Sequence, residues 1–145
     1  MIAVAVGFFV TNACAQAMLN AWTAAADAGT AAVINVYSGT PPADADATLS
    51  SNDLLAQLTC SSVSFGAATD NIGSAKITAN AITADASADS TNTATFFRIL
   101  TQSAGTVVAQ GTAGVGTFDL ALNTAAITSG STVSITAATI TLPEG

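Results

Sequence analysis

Thr93-Ala94-Thr95-Phe96-Phe97-Arg98-Ile99-Leu100, then Ser131-Thr132-Val133-Ser134-Ile135-Thr136, then Leu142-Pro143-Glu144-Gly145: these stretches of the C-terminal half decide the fold. Apolar residues alternate there with threonine and serine, and the runs break at glycine-containing turns. Successive side chains of a strand point to opposite faces, and β-branched residues suit a pleated surface, so the pattern predicts half-buried antiparallel strands. Within 93–100, Thr95, Phe97 and Ile99 share one face, while Ala94, Phe96, Arg98 and Leu100 share the other. Bulk on both faces predicts a strand covered twice, by the core on one side and by a helix or a second chain on the other. Arg98 itself is expected at the surface or at a rim.

Working outward, further strands are predicted at Ala31–Tyr37, Leu54–Cys60, Lys76–Thr83, Thr106–Gln110, Phe118–Asn123 and Thr132–Leu142. Apolar positions change phase at Ser61 and Ser62 and again near Ala137, which predicts a bulge or break at each. The polar run Asp85–Asn92 and the glycine-rich run Gly111–Gly116 are expected to be loops. Asp44 and Asp46 alternate with alanine, but no oxygen-rich calcium-loop pattern with a later glutamate follows, so a solvated turn is expected. Strands at short intervals with turns between them predict a mainly β chain, an antiparallel two-sheet β-sandwich over 31–145.

Residues 1–30 differ in composition. Thr11 or Asn12 caps an alanine-rich helix expected to end near Asp27, with Ala28-Gly29-Thr30 beyond it. Two stripes recur at helical spacing, Cys14/Met18/Ala21/Ala25 and Leu19/Trp22/Ala26. Ahead of the helix, Ile2–Val10 is apolar and Ala13-Cys14-Ala15 follows, as in a signal peptide, yet no Lys or Arg supplies the positive start of one. The alternative is an apolar arm or strand packing on the domain or on a neighbour. The run is too short for a membrane span, which takes about 20 apolar residues.

Composition removes several functions. Nine acidic residues face one lysine, Lys76, and one arginine, Arg98, for a net charge of −7. Phosphate recognition needs clustered cations, so no nucleic-acid partner and no anionic membrane surface is expected. Histidine is absent, and with it the commonest general base and metal ligand. Cys14 and Cys60 cannot close a zinc site, which takes about four ligands. They form a disulfide if the protein is exported, or stay as two buried thiols. Nucleophile elbows, phosphate-cradling loops and metalloprotease motifs are missing, and most carboxylates lie in Ala/Ser-rich loops without an aromatic platform. No cofactor, no metal and no enzymatic activity are expected.

The blocks Ile34–Asp46, Leu54-Leu55-Ala56, Phe65–Ala68, Ala94–Ile99, Asp119–Asn123 and Val133–Thr136 together resemble a group of small bacteriophage proteins. The resemblance covers most of the chain after residue 30, and the order of the blocks carries it. Members of the group are similar to virion structural proteins, with capsid decoration (cement) proteins as the closest functional implication. The apolar opening departs from the polar start such a protein would show. The resemblance implies a virion location, the major capsid protein or another virion protein as partner, and a homo-oligomer, a trimer by the three-fold positions of a capsid lattice. Contacts are then expected at Phe8, Phe9, Met18, Trp22, Phe96 and Arg98. The competing readings are a tail or fibre component, and an exported binding module or adhesin, which would lose its first 15 to 17 residues.

Overall fold

The computed structural model describes residues 8–145. The signal-peptide and arm readings of Met1–Gly7 lie outside those residues. Among the described residues one helix, α1 (Asn12–Ala26), precedes eleven strands: β1 (Val33–Tyr37), β2 (Leu54–Cys60), β3 (Thr69–Asp70), β4 (Ser74–Thr78), β5 (Ile82–Thr83), β6 (Asn92–Thr93), β7 (Phe96–Leu100), β8 (Val107–Gly114), β9 (Leu120–Leu122), β10 (Ala126–Ile127) and β11 (Ile135–Pro143). The fold is mainly β with one helix, as the alternation predicts.

Nine strands form a single sheet in the order β3-β4-β11-β9-β8-β7-β1-β2-β5, while β6 and β10 pair apart from it. The strands therefore do not divide into the two facing sheets of the expected sandwich. The reason lies in residues 54–83. Thr59 pairs with Thr83 and Cys60 with Ile82; the Ser61 amide then donates to the Ala81 carbonyl and the Asn80 amide to that of Ser64. Phe65 bridges Ala79, and Thr69 and Asp70 pair with Lys76 and Ala75. Residues 54–70 and 74–83 are thus the two arms of one long bent hairpin, whose upper part belongs to one end of the sheet and whose lower part belongs to the other. A hairpin shared by both ends forces the sheet to curl back toward itself. The phase change at Ser61 and Ser62 is the bend, and the predicted strand Lys76–Thr83 is split by the same bend into β4 and β5.

The second phase change is also a register shift, between Ile135 and Ala137 where β11 runs beside β9. Gly111 and Gly114, expected in a loop, lie within β8. They are glycines because aromatic rings lie over the strand: a Cβ at Gly111 would meet Phe97 at 2.7 Å and one at Gly114 would meet Phe118 at 2.6 Å.

The Thr11 side chain accepts the Cys14 amide and caps α1. Ala15, Leu19 and Ala26 are buried, with Trp22 half-buried between them, so the stripe containing Trp22 faces inward. The helix runs back along the hairpin, with Asp27 accepting the Ser64 amide, Asn20 accepting that of Ala68 and Asn12 donating to Asp70. Its buried side chains join one hydrophobic core with Ile34, Val36, Leu58, Phe65, Ile77 and Leu120.

Candidate functional site

The stripe of Cys14, Met18, Ala21 and Ala25 faces outward. Cys14 is an exposed free thiol and Cys60 a buried one, so the chain holds no disulfide between them and only Cys60 matches the expectation of a buried cysteine. Burial pushes the Cys60 thiol up from 9.0 to about 11, and the Asp27 carboxylate adds to the rise. A thiol reagent at neutral pH is expected to label Cys14 alone in the folded protein and both after unfolding, as intact mass will report. The sign for stability follows from the same shift. The fold favours the protonated thiol, so this contribution is complete below about pH 9 and is lost as pH rises through about 11. Unfolding free energy is expected to fall over that window by roughly 2 kcal/mol more in the native chain than in Cys60→Ala, measured by urea titration at several pH values.

Of the six predicted contact residues, Phe8 and Met18 line one cavity, and Phe9 lies against Gly145 at its edge. Phe8 is 73% exposed, Phe9 70% and Met18 49%. Phe8, Val10 and Met18 surround a cavity of about 180 Å³ with Leu142, Pro143, Glu144 and Gly145. The Val10 amide donates to the Glu144 carbonyl at 2.8 Å, which ties the entry of the chain to its last strand. Leu142 and Pro143 belong to this face although their sequence positions mark only the end of a strand. Trp22 lies behind it, donating from its indole nitrogen to the Val108 carbonyl at 3.2 Å and meeting Phe65 edge-on at 5.3 Å. It anchors the helix and closes the back of the face.

Phe96 and Arg98 are not part of it. Phe96 is 0% exposed and stacks on Tyr37 at 5.2 Å; Arg98 is 5% exposed. The expected surface or rim position of Arg98 is therefore corrected. The outer face of β7 is covered, as its bulk predicts, but by the chain's own 38–53 connection instead of a helix or a second chain. Arg98 donates from Nη2 to the carbonyls of Ala47 at 2.7 Å and Asp44 at 3.3 Å, and from Nε to Gln110 Oε1 at 2.9 Å. Gln110 in turn donates to the Pro42 carbonyl at 2.9 Å. Register places Gln110, Arg98, Asn35 and Gln57 side by side across β8, β7, β1 and β2, a polar row under the connection. Gln57 donates to Asn35 at 2.8 Å and its amide reaches Asp85 at 3.0 Å. The row holds a long loop down.

The carboxylates are spent on similar work. Asp44 accepts the Asp46 and Ala47 amides within its turn, Asp85 accepts the Ser87 amide, and Asp119 accepts both the amide and the hydroxyl of Thr112. Among the described residues no group of three or more acidic or cysteine side chains is gathered, and no helix is long and apolar enough to cross a membrane.

No protein-family model, curated protein or solved structure matches this chain. Its function is read from its own residues and geometry. What they assemble is an exposed apolar face beside a tightly held β scaffold.

Proposed function

We propose that this chain is a structural protein of a bacteriophage virion, a capsid decoration protein that binds the assembled major-capsid lattice and stabilises it without catalysing a reaction. The observation that carries the reading is the apolar face of Phe8, Phe9 and Met18 at one end of the sheet, of a kind monomers seldom leave open. The resemblance of the blocks between Ile34 and Thr136 to small phage proteins supports the same assignment. So does an exterior with few charges, 8% of residues, since charged side chains are depleted from interface cores. The proposed mechanism is linkage: a protein that binds the assembled lattice and not its free subunits shifts the equilibrium toward the lattice, and repetition at three-fold positions adds avidity. In this reading the copies associate as trimers, no nucleic acid or membrane takes part, and the two halves of the curled sheet serve as the layers of a flattened sandwich around one core.

Imaging of particles made with and without the protein tests this. Particles lacking it are expected to lose density outside the shell at regular lattice positions and to release their contents at a lower temperature. Unchanged shells, with the missing density in the tail or fibres, would move the protein to that part of the virion and defeat the capsid assignment.

A further inference from the structure

One polar atom lies within the exposed apolar face. Oε1 of Glu144 is buried and accepts no hydrogen bond from any described residue. It belongs to the cavity of about 180 Å³ whose other walls are Phe8, Val10, Met18, Leu142, Pro143 and Gly145. A carboxylate oxygen kept from water without a donor costs free energy, which a charged donor offsets best. Neither Arg98, which is bound to Gln110 and to the carbonyls of Asp44 and Ala47, nor Lys76 reaches it.

The surroundings of this oxygen favour a cation from outside the chain. Its backbone is fixed on both sides, because the Glu144 amide donates to the Gly73 carbonyl at 3.1 Å and the Glu144 carbonyl accepts the Val10 amide at 2.8 Å. The carboxylate is thus positioned before anything binds. Glu144 and Val10 are partly exposed and Phe8 is mostly so, which leaves the cavity open to solvent. Pockets for whole small molecules hold about 300–1,000 Å³, so this smaller one suits a single side chain. An aromatic ring, a thioether and aliphatic carbons wall it, as fits a cation carried on a hydrocarbon stem. The net charge of −7 draws basic partners in the same sense.

We propose that this cavity takes a lysine side chain of the protein on which the face docks, its ammonium donating to Glu144 Oε1 and its stem packed against Phe8, Met18 and Leu142. A single enclosed oxygen suits a point donor, whereas a planar guanidinium pairs best with both oxygens of a carboxylate. The proposal rests on the reading of this face as a docking surface and adds the chemistry of the group it receives. An apolar face alone selects few partners. A buried ion pair within it sets the register and rejects a surface that lacks the lysine.

Titration of the full chain with Nα-acetyl-lysine N-methylamide, followed by the Met18 methyl and Phe8 ring resonances, tests this with no capsid present. Saturable shifts at both residues are expected. The Nε-acetylated compound, which keeps the stem and loses the charge, is expected to bind the native chain at least about tenfold more weakly, and so is the lysine compound on Glu144→Gln. The arginine counterpart is expected to bind the native chain more weakly than the lysine compound does. The absence of saturable shifts, as in a cavity that holds only water, would overturn the proposal. So would equal binding by Glu144→Gln, or arginine binding as tight as lysine. Failure of this titration leaves the docking face to its own test with assembled shells, and shells that ignore the chain leave the titration unchanged.

Discussion

Replacing Phe65 with alanine is expected to cost about 3–5 kcal/mol of unfolding free energy, the range for removing a large buried aromatic side chain. Phe65 is almost wholly buried and meets Trp22 edge-on, while its backbone bridges Ala79. It therefore sits where α1 lies against the hairpin that joins the two ends of the sheet. The site cannot collapse readily, because the helix is held at Asp27, Asn20 and Asn12 by bonds to the segment that carries Phe65. The resulting cavity would face the only tryptophan of the chain, so denaturant unfolding followed by fluorescence reports both the loss and its place. Ile72→Ala, at a fully exposed side chain in the turn of the same hairpin, is expected to change stability by no more than about 0.5 kcal/mol.

The second large effect is expected at Arg98. Arg98→Ala removes three donors' worth of bonds from a buried position and leaves Gln110 Oε1 and the carbonyls of Asp44 and Ala47 without them. A hydrogen bond from a charged group contributes about 1.5–3 kcal/mol net, and because the three bonds share one side chain and water can reach the vacated acceptors they do not add in full, so a total loss of about 2–4 kcal/mol is expected. Its local signature is release of the 38–53 connection, read as faster proteolysis there while the rest of the chain stays resistant. Arg98→Lys is expected to recover only part of the loss, since an ammonium cannot span Gln110 and both carbonyls as a planar guanidinium does. Cleavage at the native rate in Arg98→Ala would mean that the polar row does not hold the loop.

These two residues also show how much of the structure is legible in the sequence. The alternation around Phe96–Leu100 gives the strand, its two faces and the fact that both are covered. It does not say by what, because a connection rich in Ala, Asp, Ser and Pro has no apolar periodicity to mark it as a lid. The cover is made by backbone carbonyls that Arg98 and Gln110 reach, and carbonyls leave no trace in composition. The helix is legible almost to the residue, since Thr11 and Asp27 bound an alanine-rich segment whose Trp22 stripe carries the bulk. The choice between one curled sheet and two facing ones is not, although both bulge positions are. A phase change at Ser61 and Ser62 reports that the strand bends, and only long-range pairing tells which edge it joins after the bend. At the candidate face, Phe8, Phe9 and Met18 stand out as large apolar residues away from the inward stripe. Leu142 and Pro143 join them through the path of β11, which no local pattern encodes.

The most direct test of the central claim, that this scaffold uses its Phe8/Phe9/Met18 face to hold an assembled protein lattice, is co-sedimentation with shells of the phage major capsid protein. The native chain is expected to pellet with assembled shells and to stay in solution with dissociated subunits, while Phe8→Ser/Phe9→Ser remains in the supernatant with its thermal unfolding unchanged. A native chain that ignores the shells, or a double variant that pellets as the native chain does, would contradict the account.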